Sequence, residues 1–506
     1  MQDLPLNGFY ESTTPKNSRR RCVNLIPINE PSGSLSQNML ECPSGLTNIG
    51  PVAAASATAT QNYSSTASGE ITSQITPVSV SPNATATASG GPAVMVPYDN
   101  DLMFVTDDSG KPTRLSFADG FGHARIAESQ DSIIICSPAY SVAGGSYAEV
   151  QYPGTSVSAI NVASEFPLGS KFHDVTFAGG RYLWVSYDDT GSDRFRVYYT
   201  DIGDSLPKAT QFFSPDAAVS RLTGIHNLNG SVWVFDENNA YLFTITTSTT
   251  TPFSWQRSAT QGIGCVGPHA KCEIGGILYT LGKVEGGGYG VFRVGAGKIS
   301  TPAVEYELTE QIASLDYLSA LKECKLFGYR DAGRDILSVS VAGVTFCYNI
   351  TDGRWFEMST DDGRWSVIGF GEAFNNEFFI GNQIVVDGSD ITFQISNPKQ
   401  DTGQEWGEDV SRFMVSAPFN SNNMTMRLSQ VEPETSGAGD VHLSLSQDYG
   451  ETYGTERTIS VTSESQRVRF INPGIFRKAV VLKLRLESSL RQSIVRLLAV
   501  INGGVR

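Results

Sequence analysis

Short β-rich runs, each closed by a turn of Gly, Asn or Asp, recur along the chain from about Ala93 to about Ser396. The clearest are DVTFAGGRYLWVSY from Asp174, GIHNLNGSVWVFDENNAYLFTI from Gly224 and AKCEIGGILYTLG from Ala270. CKLFGYRDAGRDILSVSV from Cys324 and GFGEAFNNEFFIG from Gly369 follow, and the five starts lie 50, 46, 54 and 45 residues apart. Weaker members begin at Val96 and Ala124. Gly179–Gly180, Asn229–Gly230, Gly275–Gly276 and Asn375–Asn376 are two-residue hairpin signals, because these residues adopt positive φ at little cost. Four short strands per unit of about 40–50 residues are the pattern of a β-propeller, and the count predicts six or seven blades. A set of unrelated hairpins in sandwiches is the alternative, and the steady spacing favours the propeller.

From about Gln400 the pattern changes. In DVHLSLS, Val441, Leu443 and Leu445 alternate with polar residues, which places His442 on the solvent side. In VVLKLRLES, Leu482, Leu484 and Leu486 share one face, and Lys483, Arg485 and Glu487 share the other. Such half-buried antiparallel strands predict a compact C-terminal β-sandwich. Helical periodicity is convincing mainly over Glu307 to Glu323, as one short connecting helix. The chain therefore reads as all-β in four parts: an extended N-terminal segment over 1–50, a linker over 51–92, a β-propeller over 93–400 and a C-terminal β-sandwich over 401–506.

The linker rests on composition. Of the 38 residues from Ala53 to Gly90, 24 are Ala, Ser or Thr, and Glu70 is the only charge. Such a stretch buries too little apolar area to offset its ordering entropy, so it is expected as a flexible loop that orders on assembly. No run of about 18 apolar residues is present, so no membrane-spanning helix is expected. The first 25 residues are polar, with Arg19, Arg20 and Arg21 among them, and read as no secretory signal.

Charge adds an asymmetry. The net charge of the 506 residues is −15, which argues against a general nucleic-acid coat. From Gln466 to Arg506 nine Lys or Arg stand against Glu487 alone, a net +8. The remaining 465 residues thus carry −15 − 8 = −23. A basic end on an acidic body can dock onto an acidic neighbour, another copy included. Arg467, Arg469, Arg477, Lys478, Lys483 and Arg485 are the candidate partner interface, against the plainer reading of a solvated basic strand face. The seven cysteines are odd in number and show no C-x-x-C spacing. They are expected as small buried hydrophobes in a reduced protein, not as a disulfide framework.

No catalytic constellation stands out. G-x-S-x-G, a phosphate-binding loop and H-E-x-x-H are all missing, and the five histidines have no ligand spacing. Gly286 to Gly290 reads as a hairpin turn. No catalytic, cofactor or metal residues are expected. SQDYGETY, Ser446 to Tyr453, has the form of an Asp-box, S-x-D-x-G-x-T-aromatic. Asp448 and Ser446 can bond amides of their own turn, Gly450 supplies a permissive φ, and Tyr453 packs beneath. Asp-boxes occur in sialidase propellers, but the box is a structural turn and carries no catalytic group. The aromatic and acidic stretches Ser231 to Phe243 and Asp352 to Trp365 suit a rim for partners or sugars, or simply blade core plus turn.

The ordered set of features resembles the tail-hub family of short-tailed bacteriophages, also called packaged DNA stabilisation proteins. The resemblance is carried by VNLIPIN through CPSGLTNIG (Val23 to Gly50) and by Gly262 to Ile312. It continues in VTFCYNITDGRWFEM (Val344 to Met358) and in the basic terminal strands from Gln466 to Leu486. The Ala/Ser/Thr-rich segment departs from the pattern. The resemblance implies a non-enzymatic virion protein: a hexameric ring below the portal and adaptor that closes the DNA channel. It implies retention of packaged DNA in head completion, anchoring of tail needle and tailspike, assembly in the bacterial cytoplasm, and no cofactor. A glycan-binding or glycan-cleaving receptor-binding tail propeller is the alternative, and a cellular propeller scaffold a weaker third.

Overall fold

The computed structural model describes residues 2–4, 6, 9–10, 20–29, 38–51 and 83–85 of the N-terminal part. From residue 93 to 502 it describes all but connecting stretches such as 107–111, 117–124, 137–146, 152–156, 161–171 and 187–192. The linker expected over 51–92 lies outside the described residues, apart from Pro51 and the strand Asn83–Thr85.

Seven four-stranded antiparallel units follow one another along the described chain, the larger of the two counts that the repeat allows. Blade 1 holds Ala93–Tyr98, Asp101–Thr106 and Pro112–Ser116, with Asn83–Thr85 as its fourth strand. Blades 2 to 6 begin at Arg125, Phe172, Leu222, Lys271 and Cys324. Blade 7 holds Val367–Ala373, Asn376–Gly381 and Gln394–Lys399, and its fourth strand is the N-terminal Gly45–Pro51. The first strands of blades 2, 3 and 4 lie side by side, as do those of blades 5, 6 and 7. These strands are therefore the innermost ones, the usual arrangement of a propeller. Two-residue turns join first and second strands in blades 3 to 6, and blade 2 has a longer connection. At Gly179–Gly180, Asn229–Gly230 and Gly275–Gly276 both turn residues have positive φ, between 50° and 79°. The fourth expected turn is displaced by one residue, because Asn376 pairs with Ala373 and so belongs to the strand.

The C-terminal part is a two-sheet sandwich. Its first sheet orders Ile26–Asn29, Asn38–Glu41, Ser493–Asn502 and Met426–Ser436, and both Ser465–Arg467 and Phe470–Phe476 pair with the last of these. Its second sheet orders Cys22–Val23, Arg412–Val415, Ala479–Glu487, Gly439–Ser446 and Arg457–Val461. Leu428, Val431 and Leu497 of the first pack with Val441, Leu443 and Leu484 of the second in one apolar cluster. The same cluster continues into blades 5 to 7, so sandwich and propeller share a core.

The N-terminal segment joins the two bodies. Val23 pairs in parallel with Glu357 of blade 6 and antiparallel with Phe413 of the sandwich, which makes one continuous ten-stranded sheet. The Glu357 carboxylate accepts from Arg21 at 2.5 Å and 3.2 Å and from the Tyr10 hydroxyl at 2.7 Å. Asn24, at φ 54°, donates to the carbonyls of Ser359 and Ser411, both at 2.8 Å. Its carbonyl accepts from the Ser359 amide at 2.8 Å. Asparagine tolerates this left-handed backbone better than most residues.

The helix runs over Pro302–Ala313, earlier than the expected 307–323. Thr301 caps it, Pro302 occupies the first turn where a missing N–H costs nothing, and Ala303, Val304, Leu308 and Ile312 face the core. All seven cysteines are buried and free.

Candidate functional site

Four inner strands converge on a sealed cluster of charges. Asp174 in blade 3 is fully buried. It accepts from Arg125 Nε of blade 2 at 2.9 Å, from the Ile225 amide of blade 4 at 2.8 Å and from Lys271 Nζ of blade 5. Lys271 also donates to the Pro268 carbonyl at 2.7 Å. Blade 4 contributes Gly224 here, and a Cβ at that position would lie 3.2 Å from Lys271 Nζ and 3.3 Å from the Asp174 carboxylate. The glycine makes room for a salt bridge that skips a blade. Burial pushes the Asp174 carboxyl up, but Lys271 and Arg125 outweigh it and hold it below its ordinary value. Beside it, burial pushes the His173 imidazole down to about 4. Every oxygen of the carboxylate is engaged, so the cluster is an ionic core and not an open reactive group.

A cleft of about 700 Å³ opens between blades 2 and 3, on the face of the first hairpin turns. Ser129, Asp131, Ser132 and Glu149 line it from blade 2, and Phe177, Tyr182 and the turn Ile202 to Ser205 from blade 3. Its floor is built: the Tyr182 hydroxyl donates to the Ser132 carbonyl at 2.6 Å, and Phe177 meets Tyr182 edge-on at 5.0 Å between centroids. Ile202 on the rim is 71% exposed, which is unusual for an isoleucine. Ile245 lies on the other side of the Gly179–Gly180 turn and is also exposed.

The basic residues singled out in the sequence divide between the two sheets of the sandwich. Arg467 pairs with Glu434 at 3.4 Å and Arg469 with Glu432 at 2.7 Å. Arg477 is exposed just beyond Phe470–Phe476, and Lys478 lies outside the described residues. On the second sheet Lys483 sits over the Phe413 ring at 4.4 Å and the Tyr453 ring at 5.6 Å. Arg485 pairs with Glu456 at 2.8 Å and Glu487 at 2.6 Å. Arg467, Arg469 and Arg485 are thus matched by acids from other strands or turns, and Arg485 also by its near neighbour Glu487.

His442 does not follow the strand alternation that predicts a solvent-facing side chain. It is buried, not solvent-facing: Thr458 Oγ1 lies 2.8 Å away and the Glu487 and Glu456 carboxylates 3.3 Å and 3.5 Å away. Strands flank it on both sides, and their long charged side chains fold over the outward face.

The Ser446 to Tyr453 turn joins Gly439–Ser446 to Arg457–Val461. Asp448 accepts from the Thr452 amide at 2.9 Å and its hydroxyl at 2.6 Å, and Ser446 Oγ accepts from the Gly450 amide at 2.8 Å. Gly450 has φ 92°. The Ser446 and Thr452 hydroxyls hold the Asp448 carboxyl well below its ordinary value. All of these bonds serve the turn itself.

Asp174, Lys271, Arg125 and Glu149 were not singled out by the sequence. For Arg125, Asp174 and Lys271 the available signal was a charged residue near the start of an inner strand; Glu149 lies within the third strand of blade 2 and carried no such signal.

Residues 92–398 match the model of a family described as "Bacteriophage P22 Gp10, beta-propeller". No curated protein matches the chain. Among solved structures, the exo-β-1,3-galactanase of Phanerochaete chrysosporium is similar at 8% identity and TM-score 0.30, covering 74% of this chain and 95% of that one. The dihydro-haem d1 dehydrogenase NirN is similar at 11% identity and TM-score 0.38, covering 78% and 80%. The GH32 β-fructofuranosidase of Bombyx mori is similar at 9% identity and TM-score 0.23, covering 73% and 90%. Likenesses this distant carry no argument about function.

Proposed function

The chain belongs to the bacteriophage stabilisation family of β-propellers, and on that premise we propose that it is the hub of a short phage tail. Family membership places it in the virion. In the proposed role it forms a ring, a hexamer by resemblance, below the portal and adaptor. It closes the DNA channel, retains packaged DNA and anchors the tail needle and tailspikes. It works without catalysis.

The observation that carries this reading is the ten-stranded sheet that runs from blade 6 through Cys22–Val23 into the sandwich. A tail connector transmits load between partners held at different surfaces. A hinge between propeller and sandwich would defeat that role, and a shared sheet and core oppose one. The sealed Asp174 cluster favours a structural role for the inner strands, because its carboxylate is fully committed to its neighbours. The net charge of −15 suits a channel wall that does not grip duplex DNA.

Quantitative mass spectrometry of purified particles tests the reading. A fixed copy number in every particle is expected. Abundant free protein in the lysate with none in particles contradicts it. The purified chain is expected to leave host surface polysaccharide intact, and cleavage of that polysaccharide would move the glycan-cleaving alternative to first place.

A further inference from the structure

We propose that the cleft between blades 2 and 3 receives a lysine or arginine side chain from a partner polypeptide, presented beside an aliphatic residue. The most buried acid of the cleft is Glu149. It lines the cleft, it is 5% exposed, and it has no hydrogen bond or ion pair to its side chain among the described residues. A carboxylate on a cleft wall with no counter-charge of its own draws a cation. Asp131 and Asp204 add negative charge at the same cleft, and no Lys or Arg is among its lining residues. The basic residues of the adjoining blade 3 strands and turns are committed elsewhere. Arg181 donates to the Thr200 carbonyl at 2.5 Å and faces Asp201, and Lys208 pairs with Asp201 at 2.5 Å.

The chemistry of the walls selects the occupant. The Phe177 and Tyr182 rings on the floor suit a cation, which ring faces attract. The planar guanidinium can also pair with a carboxylate through two hydrogen bonds. Three carboxylates repel phosphate, which excludes nucleic acid as the occupant. Among the described residues no cluster of metal-ligating side chains is present, which argues against a bare metal ion. The exposed Ile202 on the rim offers an apolar shelf for a neighbouring aliphatic side chain. The cleft volume of about 700 Å³ accommodates a few residues of peptide.

The test uses the full chain and two capped tripeptides, Ile-Arg-Ile and Ile-citrulline-Ile, titrated by NMR or calorimetry. Citrulline keeps the shape of arginine and removes its charge. The arginine peptide is expected to bind about tenfold more tightly than the citrulline peptide, and more weakly as salt rises. Glu149→Gln is expected to reduce that difference severalfold. Asp131→Lys, at an exposed turn, is expected to weaken the arginine peptide by placing a competing cation at the mouth. Equal binding of the two peptides, an unchanged preference in Glu149→Gln, or no binding of either at millimolar concentration would each overturn the proposal.

Discussion

Lys271 of blade 5 donates to Asp174 of blade 3, 97 residues earlier, across the gap left by Gly224 of blade 4. The bond ties non-adjacent blades together at their inner strands. It also makes Asp174 the one anion between two buried cations, Lys271 and Arg125.

The two ends of this pair should not be equivalent. Asp174→Asn leaves two buried cations without their counter-charge and is expected to cost about 3–5 kcal/mol. Lys271→Met leaves the Arg125–Asp174 pair in place and is expected to cost less, about 1–3 kcal/mol. Urea unfolding midpoints check the order, and an equal or larger loss for Lys271→Met contradicts it.

The propeller repeat and the sandwich were legible because their signals are local, whereas the repeat left six and seven blades both open. Positive-φ turn residues and strand alternation need only neighbours in sequence. The ionic core and the cleft were not legible. Arg125, Asp174 and Lys271 come from three repeats, and their meeting depends on how blades pack around the axis. His442 misled for the same reason: strand alternation assigns it a face, but only the tertiary fold lays Glu456 and Glu487 over it. The helix began early because Thr301 and Pro302 form a start signal that apolar periodicity alone does not weigh.

Acid should weaken the fold through His173. Its imidazole is buried and pushed down from 6.5 to about 4. Between these values the unfolded chain binds a proton that the folded chain does not. The contribution of His173 is therefore complete above pH 6.5 and is lost as pH falls toward 4, on the order of 3 kcal/mol in total. Stability measured across that window is expected to fall less steeply in His173→Gln than in the parent. An unchanged slope contradicts the assignment.

The join between N-terminal segment and blade 6 should be open to single substitutions. Asn24→Ala removes bonds to Ser359 and Ser411 and leaves the Ser359 amide without its acceptor, at about 2–3 kcal/mol. Glu357→Gln releases Arg21 and weakens the hold on Tyr10. Both variants are expected to speed tryptic cleavage after Arg21, whose side chain is bound in the parent. Unchanged cleavage rates would show that the strand is held by other contacts.

Blades 4 and 5 meet through glycine. A Cβ on Gly264 would lie 1.8 Å from the Glu237 carbonyl oxygen, so backbone must move to admit it. Gly264→Ala is expected to cost about 3 kcal/mol or more. At Gly230, in an open hairpin turn with φ 79°, the same change meets no neighbour and pays only for the backbone, about 1–2 kcal/mol. Thermal unfolding of the two variants checks the ranking.

The hub reading is tested most directly by measuring nuclease-protected DNA in particles assembled with and without this chain. Heads that package DNA and then lose it when the chain is absent are the predicted result. Heads that keep their DNA without the chain, and fail only in adsorbing to cells, would contradict the hub reading and identify a receptor-binding tail component instead.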